Sequence, residues 1–464
     1  MSEPKRLIER LARAAERASE AVISEAEARS VVERAVKLSK ADAIRVSVGS
    51  SYNANIRFAA NRISTAGAAT DAAVTIFSSF GPKHAVVNTN DTSDEALRRA
   101  VEQSEALAKL APDDPEAMPE LPAQSYQTNA AYFENTASLS PEERARAAST
   151  ALEPARAAGD LAAAGFIITG AGANALGNNA GLFAYYRNTS ANYTLTVRTS
   201  DGTGSGWAGA DHPDWSQIDF PAVSARAIEK ARLSRNPVSV EPGRYTVIFE
   251  PQAVGDLVQL MGFALDARSA DEGRSAFTKA GGGTKTGDKI VDPRITIFSD
   301  PADPQLLSQP FNGEGLPLTR RVWVEGGVLR QLNYSRFWAQ KQGKTATGGL
   351  GSIKMAGGTA SVEDMIKGTQ RGILVTRLWY LRPVDPRTIL YTGLTRDGTF
   401  LIENGKIAKS IRNLRFNDSP LFMLNNLEAL GAPQRLAGTE AGGDVVMPPI
   451  KVRDFNFTSL SEAV

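Results

Sequence analysis

The sequence predicts an α+β protein of two domains: N-terminal helices on a mostly antiparallel sheet in residues 1–236, then a strand-rich mixed domain in residues 237–464. Three observations carry that prediction. Helix-spaced and strand-spaced apolar runs come in clusters, without the strict βα alternation of a doubly wound sheet. A turn-rich break runs from Asn236-Pro237 to Pro242-Gly243, and strands dominate after it. The length of 464 residues, with 42% hydrophobic and 22% charged side chains, suits two or three well-filled globular cores.

The elements follow in order. Residues 3–20 place Leu7, Ile8, Leu11 and Ala14 at helical spacing. Ser24-x-x-Glu27 is a capping box that opens a helix to about Leu38. Strand-like runs lie near Ile44, Ile56 and Val74, and a fourth starts at His84. A second capping box, Thr92-x-x-Glu95, opens a helix to about Leu110, and residues 111–127, rich in Pro, Asp and Glu, form an exposed connection. Ser140-Pro141-Glu142-Glu143 starts a helix to about Ala158, with Ser at N-cap and Pro at N1. Strands near Phe166, Leu182 and Tyr193 precede a helix at about 222–233. Beyond the break, helices are expected at 254–268, 361–367 and 419–430 among many strands, and Asn404-Gly405 between apolar runs signals a type I′ hairpin.

Composition narrows the function. Lys+Arg 52 against Asp+Glu 51 leaves a net charge of +1, which gives no footprint for nucleic acid or anionic membrane. No apolar run reaches membrane-span length, and the charged start lacks a signal-peptide core, so a cytoplasmic location is expected. There is no Cys, and only His84 and His212, so thiolate sites and His-rich zinc sites have almost nothing to be built from.

The remaining motifs read blandly. Gly170-Ala171-Gly172-Ala173-Asn174-Ala175 matches a loose G-x-G-x-x-A, but turn material follows where a phosphate-binding helix should start, and it is read as a loop. Lys279 to Lys289 is a glycine-rich basic segment whose spacing fails the P-loop pattern; as a mobile loop it could close over a substrate. His212, flanked by Asp211 and Asp214, falls short of the three or four ligands of a zinc site. Asp266, Asp271, Glu272, Glu314, Asp397 and Glu403 are carboxylates that could do acid–base work in pairs, with surface roles as the default. Tyr185, Tyr186 and Tyr193 sit at strand spacing and read as packing residues.

Residues 384–420, VDPRTILYTGLTRDGTFLIENGKIAKSIRNLRFNDSP, resemble the closing signature of the TldD/PmbA (TldD/TldE) metallopeptidase-like family. ARSADEGRSAFTKAGGGTKTGDKIVDPRITIFSDP, PFNGEGLPLTRRVWVEGGVL and SVGSSYNANIRFAANRIS agree with other family segments in order, so the resemblance spans nearly the whole chain. The metal-bearing type of that family has H-E-x-x-x-H on a helix and a Cys near its C-terminus. The matching window here is Val258-Gln259-Leu260-Met261-Gly262-Phe263, with Val258, Gln259 and Phe263 where the two His and the Glu would stand. The Cys corresponds to about Ala437. The resemblance therefore implies the PmbA/TldE type, which lacks the metal motif. No cofactor is expected in this chain, and zinc only in a TldD-type partner subunit bearing H-E-x-x-x-H.

In that family the pair encloses a cavity that holds an extended peptide by strand addition. The resemblance implies a partner subunit of a heterodimeric zinc metallopeptidase acting on unfolded or ribosomally made peptides, with this chain alone inactive. Gly281, Gly282, Gly283, Gly348, Gly349 and Gly351 are candidate groove elements. Two other readings stay open: a homodimeric peptide-binding scaffold, and a metal-independent peptide-modifying enzyme using carboxylates such as Asp397 and Glu314.

Overall fold

The computed structural model describes residues 22–438 and 444–461; the helix expected at 3–20 lies outside the described residues. The first sheet has six antiparallel strands in the order β3-β2-β1-β4-β5-β6. They are β1 (Ala43–Ala59), β2 (Arg62–Phe80), β3 (Lys83–Thr89), β4 (Leu161–Asn178), β5 (Phe183–Thr199) and β6 (Ser205–His212). The separate runs expected near Ile44 and Ile56 are one continuous strand. The G-x-G segment, read as a loop, is the middle of β4, hydrogen-bonded on both sides to β1 and β5. Small side chains had hidden its alternation.

Alternation decides which face is covered. Along β1, Ile44, Val46, Val48, Tyr52, Ala54, Ile56 and Phe58 are buried and share one face. Helices α1 (Glu25–Leu38) and α2 (Asp94–Leu110) cover one end of that face, packing with Ile44, Val46, Val74 and Ile76. Helices α3 (Pro141–Ala158) and α4 (Phe220–Leu233) cover the other, over Phe58, Ile167, Tyr193 and Leu195. The capping boxes at Ser24/Glu27 and Ser140/Glu143 form as expected, whereas α2 is capped by Ser93 in place of Thr92.

The second half holds two further sheets. Strands β7 (Gly243–Phe249), β12 (Arg371–Asp385), β13 (Leu390–Glu403), β15 (Leu414–Asp418) and β19 (Ile450–Leu460) pair in a closed cycle. β12 joins both β7 and β13, so the five strands form a small barrel with no free lateral edge along its paired length. Phe249, Phe416, Phe455 and Phe457 fill its interior, with Phe249 and Phe455 edge to face at 4.8 Å. β14 (Lys406–Ser410) extends β13 through Asn404-Gly405, whose φ values of 52° and 75° fit the expected hairpin turn. A smaller sheet lies beside the barrel, with neighbouring strands in the order Val328–Leu329, Arg321–Glu325, Ile297–Ser299, Ile353–Met355, Val445–Met447 and Gln434–Arg435.

Two expected helices are shorter than their patterns. The one at 419–430 ends at Asn425, and Leu427–Leu430 is a strand paired with β19. The one at 254–268 is broken into α5 (Pro251–Val258), α6 (Met261–Ala264) and a turn of helix at Ala267–Asp271.

Candidate functional site

Helix α5 starts at Pro251 behind Glu250 and packs against β12. Asp256, on its inner face, accepts hydrogen bonds from Gln252 Nε2 at 2.9 Å and from the backbone N–H of Leu378 at 3.1 Å. The helix thus caps the edge of β12 where β7 stops. Gln252 also donates to the carbonyl of Gly438, and Leu436 packs on Gly255, close enough that a Cβ there would meet it at 2.0 Å. The loop at 434–438 is therefore clamped onto the start of α5.

Val258 and Gln259 are buried, Val258 only 1% exposed in the main core. Phe263 is 68% exposed. Val258 is a packing residue, whereas Phe263 is not. The helix breaks at 259–260, and α6 turns Phe263 outward to the wall of a cavity of about 790 Å³. Leu260, Pro383, Val384, Ile389 and Tyr391 line it, with Arg274, Asp385 and Arg387 among its polar groups.

The side chains at these positions are poor partners for a metal ion. Valine and phenylalanine offer no lone pair, and the amide of Gln259 is a poor ligand beside imidazole or carboxylate. Among the described residues no group of three or more His, Cys, Asp or Glu side chains could hold a metal ion. The residues do not fit the metal.

Charged groups join the two halves near the same loop. Arg435 pairs with Asp211 Oδ1 at 2.5 Å and with Asp444, and its NH1 reaches the carbonyl of Leu306 at 2.8 Å. Asn192 of β5 donates to Asp211 and to the carbonyl of Ala437 at 2.8 Å. Lys230 of α4 meets Glu250 at 2.6 Å; burial lowers its pKa and the Glu250 carboxylate opposes that shift. Burial and the nearby Arg435 charge also lower the pKa of His212, whose Nδ1 accepts from the N–H of Asp214 at 2.9 Å.

The other sequence candidates are scattered. Gly281, Gly282 and Gly283 adopt φ of 90°, 105° and 79° in an exposed turn that lines neither of the two larger cavities. Gly349 and Gly351 line a slot of about 10 Å³ too small for a ligand, and Gly348 lies beside it, accepting from Asn312 at 3.2 Å. Asp397 is buried in a cavity of about 450 Å³ between the two halves, accepting from Ser205 Oγ at 2.7 Å with Arg377 and Arg396 at 3.8 and 3.6 Å. Glu314 faces Arg336 in a different cavity, with His84. The structure does not bring Asp397 and Glu314 together as an acid–base pair. Asp266 caps the Ala267–Asp271 turn, and Asp271 accepts from Trp338.

The family descriptions "PmbA/TldA metallopeptidase domain 1", "central domain" and "C-terminal domain" match residues 45–108, 134–235 and 242–459. The chain belongs to the PmbA/TldD metallopeptidase family. A Haemophilus influenzae protein named "Metalloprotease PmbA homolog" is 24% identical over 82% of this chain and 86% of its own length. A "Metalloprotease" of Methanothermobacter thermautotrophicus is 25% identical over 47% of this chain, and the match spans about half of that relative, 49%. "Metalloprotease PmbA" of Escherichia coli O157:H7 is 28% identical over 36% of this chain and 37% of its own length. The crystal structure of TldE from Thermococcus kodakarensis superposes with a TM-score of 0.82 at 20% identity, covering 93% of this chain and 99% of that one. That likeness is one of fold.

Proposed function

We propose that this chain is the metal-free partner subunit of a two-chain peptidase of the PmbA/TldD family, in which a TldD-type chain carries zinc. The carrying observation is the fate of the motif positions: Val258 is sealed in the core while Phe263 faces a cavity of about 790 Å³. The helix is clamped to the 434–438 segment, so its start is held in a defined place. An ordered helix without metal ligands fits a subunit that shapes a peptide-holding chamber and shields the other chain's chemistry. The substrate in this reading is an unfolded or ribosomally made peptide, and the working compartment is the cytoplasm.

The test is purification of tagged protein from its own cells under mild conditions, with co-purifying chains identified by mass spectrometry. Recovery of a similar-sized paralogue bearing H-E-x-x-x-H, with peptidase activity in the pair and none in this chain alone, supports the reading. A lone homodimer without activity moves the weight to a scaffold. Turnover by this chain alone in strong chelator moves it to a metal-independent enzyme.

A further inference from the structure

The linker between the two halves borders a cavity of about 450 Å³, and none of its lining residues lies in α5, α6 or the 434–438 segment. Its walls are the loop at 202–205, the linker at 234–237, and segments 397–399 and 411–413 of the second half. A cavity of this size at a domain junction, with a few convergent polar groups, is the ordinary form of a small-molecule site. Thr203, Ser205 and Thr399 bring hydroxyls to it, and Asn236 and Asn413 bring carboxamides.

Asp397 lies deepest, at an irregular point of the barrel. One residue of β12, Thr376, stands opposite two of β13, Asp397 and Gly398, so the ladder bulges there. Asp397 takes a φ of 53°, a left-handed conformation that a residue other than glycine adopts only at a cost. Its carboxylate, 5% exposed, lines the cavity.

The charge of that carboxylate is balanced, but its hydrogen bonding is incomplete. Arg377 and Arg396 lie 3.8 and 3.6 Å from Oδ2, at ion-pair distance without a hydrogen bond. Aromatic rings hold both guanidiniums. Arg377 lies over Trp207 at 5.0 Å and Trp379 at 5.4 Å, and Arg396 over Trp379 at 5.0 Å. Arg377 Nε is itself buried without a hydrogen-bond partner. Among the described residues, Asp397 accepts one hydrogen bond, from Ser205 Oγ to Oδ1 at 2.7 Å. Oδ2 is therefore an acceptor without a donor. At the mouth, Arg412 is exposed, and among the described residues its guanidinium has no ion pair or hydrogen bond.

We propose that this cavity binds a small polyhydroxylated anion, of the sugar-phosphate or sugar-acid class. Its hydroxyls donate to Asp397 Oδ2 and exchange hydrogen bonds with the hydroxyl and carboxamide lining, while its anionic group meets Arg412. The charges select this class. Arg377, Arg396 and Arg412 outnumber the one carboxylate, so the site repels amines and attracts an anion. Asp201, beside the lining, is engaged by Thr199 and Thr203. An acceptor already balanced by two arginines suits a neutral hydroxyl donor. Among the described residues no aromatic ring lines the cavity, which leaves a nucleobase without a stacking surface. Thr203 belongs to the first half and Asp397 and Arg412 to the second, so a ligand here braces the halves against each other. The proposal needs neither a partner subunit nor a peptide.

The experiment is isothermal titration calorimetry on the full chain, in the assembly in which it purifies. Glucose 6-phosphate and gluconate are the probes, and glucose and inorganic phosphate the controls. Saturable binding of at least one probe is expected, about tenfold or more tighter than either control, and the better probe identifies the anionic group. Arg412→Gln, at an exposed side chain, should weaken that probe about tenfold, with glucose and the melting temperature unchanged. Asn236→Asp keeps a residue type that tolerates the φ of 50° and adds a negative charge at the mouth. It should also weaken the probe and spare glucose. Asp397→Asn should weaken glucose 6-phosphate relative to inorganic phosphate; if that variant fails to fold, the two mouth variants carry the test.

No saturable binding of either probe at roughly ten millimolar overturns the proposal. So does either control binding as tightly as the better probe, which marks an adventitious contact. Parental binding by both Arg412→Gln and Asn236→Asp overturns it too. Saturable binding of serine without binding of either probe assigns the cavity to amino acids, and again overturns it. Each of these results leaves the two-chain reading untouched.

Discussion

Val258 and Phe263 stand five residues apart at the two ends of one motif window, and the structure treats them in opposite ways. Val258 is sealed among Val254, Leu257 and barrel residues, whereas Phe263 stands in solvent beside an open cavity. The two positions are therefore two kinds of residue. One has been absorbed into packing and is held by the ordinary cost of disturbing a core. The other is free of packing, so only contacts outside the described chain could constrain it.

The largest effect expected from that contrast is at the buried end. Val258→Asp places an unpaired carboxylate in the main core and should cost about 3–5 kcal/mol, read as a fall in the urea midpoint. Lys230→Met leaves Glu250 half of a mostly buried pair at the start of the same helix. It should cost about 2–4 kcal/mol, and Lys230→Met with Glu250→Leu should recover much of it.

Rebuilding the motif by Val258→His, Gln259→Glu and Phe263→His together sharpens the comparison further. The inward imidazole should cost about 1–3 kcal/mol, and no stoichiometric zinc should survive dialysis, measured by atomic absorption. Tight zinc binding by that variant would break the contrast, because both ends would then face one site.

His212 gives a smaller, pH-dependent effect. Burial lowers its folded pKa below the ordinary 6.5. Between the lowered value and 6.5 the unfolded chain binds more protons, so stability should rise with pH across that window. An NMR titration of the imidazole checks the direction, and His212→Gln should flatten the slope. The smallest effect is at the exposed end: Phe263→Ser should change the unfolding free energy, read by urea titration, by no more than about 0.5 kcal/mol. Any weakened association with a co-purifying chain would then be a surface effect.

Legibility in the sequence followed the size of the side chains. The boxes at Ser24/Glu27 and Ser140/Glu143 and the turn at Asn404-Gly405 could be read because their chemistry is local. Ile44, Val46 and Val48 showed their alternation plainly. The G-x-G stretch of β4 did not, because glycine and alanine alternate in position without contrasting in hydrophobicity, and the following Leu176-Gly177-Asn178 looked like a turn. At the altered helix, sequence gave the substitutions but not their directions. Gln252 and Asp256 pin α5 to partners far along the chain, at Gly438 and Leu378, which no local pattern of residues reveals.

The central place of β1 also has a consequence for biosynthesis. Its outer neighbour β2 follows at once through a tight turn, but its inner neighbour β4 is paired from Arg45 to Asn178, across more than a hundred residues of intervening chain. At roughly 5–20 residues per second, β4 leaves the ribosome on the order of ten seconds after β1. For that interval the nascent chain presents a 17-residue strand with an unsatisfied inner edge and an apolar flank awaiting α3. Such high contact order makes this sheet slow to close, and the nascent hairpin keeps an unpaired edge and an apolar flank exposed for the whole interval.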